Sequence, residues 1–261
     1  MSDVETPPGE PKPRGETQAN QSVAKAFRIL DYFRIHPEGR LSDLAEYAGL
    51  GASTALRLIL SLERGGALVR DRETREYSIG PWLFELAATT VRHHPYTRYV
   101  HQILVELRET TGETGSYWLV DGHERLCIDR VLSRHALSST VEIGARLPLH
   151  VGAAGRALVA FLSEEKRAEV FEALRAESVD VEALAASLDN VRSDGFASSS
   201  EEREKGLASV AVPVLDRRDA LVGVLSLSAP VSRLTASRRR AAVDVLKEAA
   251  NRLSGYRVLE S

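Results

Sequence analysis

The chain has 261 residues, of which 43% are hydrophobic and 27% charged, with a formal net charge of −3. That length accommodates one large domain or two ordinary ones, and the composition excludes a disordered, collagenous or disulfide-stapled chain. The single cysteine, Cys127, leaves no internal disulfide to form, and with no membrane-length apolar run and no signal-peptide core the expected location is the cytoplasm, away from membranes.

Residues 1–20 contain Pro7, Pro8, Pro11 and Pro13 and almost no large apolar side chain, so a disordered tail is expected there. From 21 to 80 the pattern predicts three short helices and a hairpin. In the first helix Val23, Phe27, Leu30 and Phe33 recur at helical spacing, and Pro37 and Gly39 end it. The second spans 42–48, with Ser42 as N-cap and Leu44, Ala45 and Ala48 facing inward. Gly49-Leu50-Gly51 forms a tight turn, and the third helix runs over 53–64. There Leu56, Ile59, Leu60 and Glu63 share one face, and Arg57, Ser61 and Arg64 another. Gly65-Gly66 terminates it. Two strands, 68–70 and 76–79, flank a wholly polar turn over 71–75.

Pro81 suits the first position of a further helix, predicted to link two domains over 81–95 and to break near Pro95. The remainder, 96–255, mixes helices and strands. Helices are expected over 97–110, after the small-residue loop His150-Val151-Gly152-Ala153-Ala154-Gly155 as far as Leu162, and over 164–176, 181–187 and 235–254. Strands are expected near 115–120, 125–131, 138–143, 208–215 and 221–228. No repeat recurs at a fixed period.

Helix, turn, helix and hairpin in this order form a winged helix-turn-helix, in which one helix enters the major groove and the wing grips the flanking backbone. The residues placed to meet double-stranded DNA are Ser53, Thr54, Arg57, Ser61 and Arg64 on the helix, with Arg70, Arg72 and Arg75 in or beside the wing. Arg can pair bidentately with guanine, and Ser and Thr can meet bases or phosphates. Residues 22–80 carry nine Lys/Arg against eight Asp/Glu, so composition alone describes an ordinary solvated face. The arrangement of the arginines, not their number, points to DNA.

The chain resembles an IclR-family transcriptional regulator over about residues 21–255. The first part of the resemblance is Gln21-Ser22-Val23-Ala24-Lys25-Ala26-Phe27, Leu41-Ser42-Asp43-Leu44-Ala45 and Ser53-Thr54-Ala55-Leu56-Arg57-Leu58-Ile59. The second is Gly144-Ala145-Arg146-Leu147-Pro148-Leu149-His150 running into Gly155-Arg156-Ala157-Leu158, then Asp194-Gly195-Phe196, Val212-Pro213 and Leu225-Ser226-Leu227-Ser228-Ala229-Pro230. The resemblance implies a mixed α+β chain, with an N-terminal winged helix-turn-helix joined by a linker helix to a GAF-like α/β effector-binding domain. It implies a homodimer or dimer of dimers on palindromic operators, and a small-molecule effector, often an organic acid or aromatic compound. It places the effector at Ala153 and Ala154, Ser199 and Ser209, and Ser226 and Ser228. Small residues at a helix start admit an anion to backbone N–H groups, and two serines two apart on a strand face one side. The sequence departs from the family pattern at Gly152, Ser199 and Ser209: relatives often carry Thr or Ser at the first, and some carry acidic or thiol residues at the other two. The reduced polar set suggests a weakly polar or aromatic ligand walled by Tyr117, Trp118 or Leu126.

Two other readings compete. One is an enzyme, although no nucleophile–base pair, metal set or phosphate-cradling glycine motif is present. The other is a DNA-binding protein whose second domain only oligomerises. No cofactor, catalytic residue or metal is expected: His93, His94 and His101 lack a standard ligand spacing. Cys127, between Leu126 and Ile128, fits a small buried hydrophobe, and Arg238-Arg239-Arg240 fits a solvated face.

Overall fold

A computed structural model describes residues 21–93, 95–137 and 141–256. The expected tail over 1–20 and the first half of the expected strand at 138–143 lie outside the described residues. The chain divides into two compact units between Val91 and Arg92.

The first unit holds α1 (Gln21–Asp31), a short 3-10 turn (Tyr32–Arg34), α2 (Leu41–Tyr47), α3 (Ala52–Arg64), the hairpin β1 (Leu68–Arg70) and β2 (Tyr77–Ile79), and most of α4 (Pro81–His93). Its core gathers Ile29, Tyr32, Leu44, Ala45, Ala55, Ile59, Leu68 and Tyr77. Half of the expected stripe faces inward: Leu30 and Phe33 pack against this core beside the fully buried Ile29, whereas Val23 and Phe27 are exposed. Arg40, not Ser42, takes the cap position of α2, and its backbone N–H donates to Asp43 Oδ2 at 2.9 Å. Leu44, Ala45 and Ala48 are buried as expected.

Glycines decide two junctions. Gly66 (φ +74°) ends α3, and a Cβ on Gly80 would meet the Gly66 carbonyl oxygen at 2.2 Å. That close approach lets Gly80 N–H donate to Ala67 O (2.8 Å) and Trp82 N–H to Gly66 O (3.2 Å), which seats the start of α4 against the hairpin.

The second unit holds α5 (Pro95–Thr111), β3 (Thr114–Asp121), β4 (Glu124–Val131), β5 (Arg146–Pro148), α6 (Gly152–Ala160), α7 (Glu164–Ala176), α8 (Val181–Asp194), β6 (Ala197–Ser200), β7 (Leu207–Leu215), β8 (Leu221–Pro230) and α9 (Ala236–Tyr256). One antiparallel sheet runs in the order β5-β4-β3-β8-β7-β6. One face packs on α5 and α9 through Tyr117, Val210, Val212, Leu225 and Leu227 against Leu104, Leu107, Leu246 and Leu253. The other packs on α6, α7 and α8 through Trp118, Cys127, Ala211 and Val224 against Ala157, Leu158, Val170 and Leu188. Burial on both faces explains why these strands carry apolar runs rather than strict alternation.

Four expectations need correction here. Residues 141–143 are not strand; the third neighbour in this part of the sheet is β5, reached after a turn at Gly144 (φ +85°). Helix α6 opens at Gly152, so the small residues expected in a loop form its first turn. Helix α8 runs to Asp194, well beyond residue 187, before Gly195 in the left-handed region stops it. The edge strand β6, rich in serine, had no hydrophobic alternation to announce it.

Candidate DNA-binding surface and ligand cavity

Helix α3 buries Ala55 and Ile59 fully and Leu58 and Leu62 in part. This puts Ser53, Arg57, Ser61 and Arg64 on the exposed side, while Thr54 in the first turn is half-buried. Leu56 and Leu60, expected inward beside Ile59, lie outward at 39% and 37% exposure. A leucine-rich helix offers more than one apolar face, and tertiary packing selects among them. Ser61 Oγ donates to Arg57 O at 3.0 Å, so its hydroxyl proton is already engaged.

The wing turn is organised by Asp71. Its Oδ1 accepts from Glu73 N–H (2.8 Å), Thr74 N–H (2.7 Å) and Thr74 Oγ1 (3.2 Å). The Thr74 and Glu73 amides hold this carboxyl below its ordinary pKa of 3.8. Arg75 sits at φ +66°, and both Arg72 and Arg75 project into solvent. Arg70 is tied to the wing itself: its guanidinium lies 5.2 Å from the Tyr77 ring centroid, and its Nε donates to Arg75 O at 3.4 Å. The ion pairs formed among the described residues of this unit take up Arg34 and Arg40, not Arg57, Arg64, Arg72 or Arg75.

In the second unit the six expected effector residues converge. Ala153 and Ala154 from α6, Ser199 from β6, Ser209 from β7, and Ser226 and Ser228 from β8 line one cavity of about 40 Å³. Sheet register explains the convergence: Ser199 pairs with Ser209, Ser209 with Ser228, and Ser116 with Ser226. Cross-strand partners share a face, so period-two placement on four strands yields one patch of hydroxyls. Ser199 and Ser209 hydroxyls lie 2.7 Å apart, and Trp118 Nε1 donates to Ser226 Oγ at 3.0 Å. Of the aromatic walls expected, Trp118 lines the cavity, whereas Tyr117 belongs to the opposite core, where its hydroxyl meets that of Tyr96 at 2.9 Å. Leu126 is not among the lining residues. Gly152 has φ +78°, a conformation that disfavours Thr or Ser, and its N–H donates to Glu202 Oε2 at 3.2 Å.

Arg125 and Arg203 also line this cavity, and sequence reasoning missed both. Arg125 is 3% exposed. Its Nη1 donates to the carbonyls of Pro148, at 3.1 Å, and Val151. Burial, reinforced by repulsion from Arg203, pulls the guanidinium pKa down to about 10, so it stays cationic at neutral pH. No carboxylate is among the lining residues. The available signal was Arg125's position two residues before Cys127, a residue already assigned to a buried face. Cys127 is 1% exposed, and burial pushes its thiol up to about 12. Among the described residues no cluster of three or more His, Cys, Asp or Glu could hold a metal, and no helix is long and apolar enough to cross a membrane.

Residues 88–255 match the family profile of the bacterial transcriptional regulator IclR C-terminal domain, and residues 22–72 match that of the IclR helix-turn-helix domain. The chain is 32% identical over 221 residues to the HTH-type transcriptional regulator XynR of Escherichia coli (strain K12), covering 82% of this chain and 88% of that protein. Among solved structures it is similar to an IclR transcriptional regulator from Alicyclobacillus acidocaldarius, with TM-score 0.80 and 28% identity, covering 91% of this chain and 99% of the other. The same fold occurs in an IclR homologue from Microbacterium hydrocarbonoxydans complexed with 4-hydroxybenzoate, with TM-score 0.76 and 23% identity, covering 90% and 98% of the two chains.

Proposed function

The chain belongs to the IclR family of bacterial transcriptional regulators, and from that premise we propose which of its residues meet DNA and which meet the effector. It is a ligand-responsive, DNA-binding transcriptional regulator and not an enzyme. The observation that carries the assignment of sites is the convergence of Ala153, Ala154, Ser199, Ser209, Ser226 and Ser228 on one cavity.

On the DNA side, Arg57 is assigned to a base edge, with Ser53, Thr54, Ser61 and Arg64 beside it along α3. Arg72 and Arg75 grip phosphates from the wing, and Arg70 holds the wing in shape. On the ligand side, a small metabolite sits between the start of α6 and the serines of β6, β7 and β8. It acts by favouring one of two arrangements of the regulator, which requires different affinities for the two.

The working unit is a homodimer or dimer of dimers on a palindromic operator. Exposed Trp82 and Leu86, one turn apart on the same side of α4, support that reading, since large apolar side chains sharing an exposed helix face mark an interaction surface. The test is binding of the purified protein to sheared DNA from its own source, with Arg57→Ala in parallel. A few enriched palindromic sites, lost in the variant, are expected. Equal recovery of all DNA by both proteins would contradict the assignment of Arg57 and α3.

A further inference from the structure

The serine cavity leaves one group unaccounted for. Arg125 is a buried cation, yet no carboxylate lines the cavity and Arg125 forms no ion pair among the described residues. Its Nε is buried without a hydrogen-bond partner. An uncompensated buried charge is expensive for a fold to keep. Nonetheless the local structure is shaped around it. A Cβ on Gly155 would lie 2.2 Å from the backbone Leu149 O and 2.5 Å from Arg125 Nη1, so glycine lets α6 pack closely on both. A Cβ on Gly152 would lie 3.7 Å from Nη2 and 3.9 Å from Ser199 Oγ, so both groups approach the start of α6. On its other side the guanidinium lies 5.1 Å from the Trp118 ring centroid.

We propose that Arg125 recognises the effector, that the effector carries a carboxylate or another planar oxyanion, and that the anion draws the guanidinium away from the Pro148 and Val151 carbonyls. The proposal rests on the cavity being the effector site. A planar guanidinium matches a carboxylate bidentately and at the right spacing, as a serine hydroxyl alone does not. This revises the expectation of a weakly polar ligand, which rested on the serines alone. Arg203, also at the cavity, lies near enough to repel Arg125 and is itself paired with Glu204 at 3.6 Å. The cavity of about 40 Å³ holds little more than a water molecule, so the ligand must displace part of its wall. The segment held by Arg125 Nη1, running from Pro148 into α6 at Gly152, is the part whose bonds compete with the ligand. Occupancy and the position of that segment are thereby linked through one side chain.

The test uses the full-length protein and a panel of acetate, lactate, benzoate and 4-hydroxybenzoate, each paired with its neutral amide. Thermal shift finds binders and calorimetry measures them. At least one acid should bind with its amide silent, and its affinity should fall at least tenfold in Arg125→Gln and recover in part in Arg125→Lys. Circular dichroism establishes that both variants fold. Binding of amides as tight as that of acids, undiminished binding of the acid by Arg125→Gln, or a panel in which no acid binds overturns the proposal. Ser228→Val, which narrows the cavity, separates this from the cavity reading. A ligand lost in Ser228→Val but kept in Arg125→Gln leaves the cavity standing and removes Arg125. A ligand kept in both variants overturns both.

Discussion

The guanidinium of Arg125 lies 5.1 Å from the centroid of the Trp118 ring, whose Nε1 donates to Ser226 Oγ at 3.0 Å. Cation, aromatic face and hydroxyl thus form a continuous chain along the wall of one cavity. The ring offsets part of the cost of burying the charge.

That burial has a measurable stability consequence. Holding the guanidinium pKa near 10, well below its ordinary value, disfavours the charged form by about 3 kcal/mol. The penalty is fully present below about pH 10 and shrinks as pH rises above it, because the unfolded chain then holds the extra proton. Arg125→Met removes the penalty but leaves the Pro148 and Val151 carbonyls without this donor, at a cost of roughly 1–3 kcal/mol. The two nearly cancel, so thermal denaturation at neutral pH should show Tm changed by only a few degrees. A fall of ten degrees or more would mean that Arg125 is there to hold the fold.

Arg57→Ala should weaken specific operator binding by about 1–3 kcal/mol and leave binding to random DNA nearly unchanged. Arg72→Ala should instead weaken both alike and reduce the salt dependence of binding by about one counterion. Fluorescence anisotropy across a salt series distinguishes the two. The same behaviour in both variants would contradict the division between base and phosphate contacts.

Asp71 gives the wing a pH dependence whose direction follows from its hydrogen bonds. Its folded-state pKa lies below 3.8, so the stabilisation is present above that value and is lost as pH falls through the lowered one. The Thr74 amide resonance should therefore titrate with a midpoint below 3.8, and Asp71→Ala should abolish the titration. A midpoint at or above 3.8 would place the carboxyl outside the turn.

Leu86→Asp should dissociate the dimer if α4 supplies the interface, since Leu86 is 51% exposed and a charge there disrupts no core of the single chain. Sedimentation velocity is the check. A dimer that persists unchanged would put the interface elsewhere.

Much of this organisation was legible in the sequence because it rests on local periodicity. Helix α7 (Glu164–Ala176) carries a Ser163 cap and clear punctuation, and its limits were read correctly. The serines at 226 and 228 share a face by the elementary alternation of a strand. What escaped depended on neighbours distant in sequence. Between β3 and β4 the register shifts, with Tyr117 opposite Asp129 and Trp118 opposite Cys127. Ile128 is the extra residue, and it turns Asp129 to the far face, where the carboxylate meets His101 Nδ1 at 3.0 Å. Arg125 is thereby left on the cavity face without that acid. No spacing rule announces a bulge, so neither the isolation of Arg125 nor its chemistry could be read ahead of the fold. The exposure of Leu56 and Val23 has a similar origin: the hydrophobic pattern permits several helix faces, and the surrounding helices choose one.

The most direct test of the account is operator affinity with and without a binding acid, in the wild type and in Ser228→Val. A ligand bound in the serine cavity should change the wild-type Kd by roughly 5–150-fold and leave the variant's Kd unmoved. An equal change in both proteins would contradict control of DNA binding from this cavity.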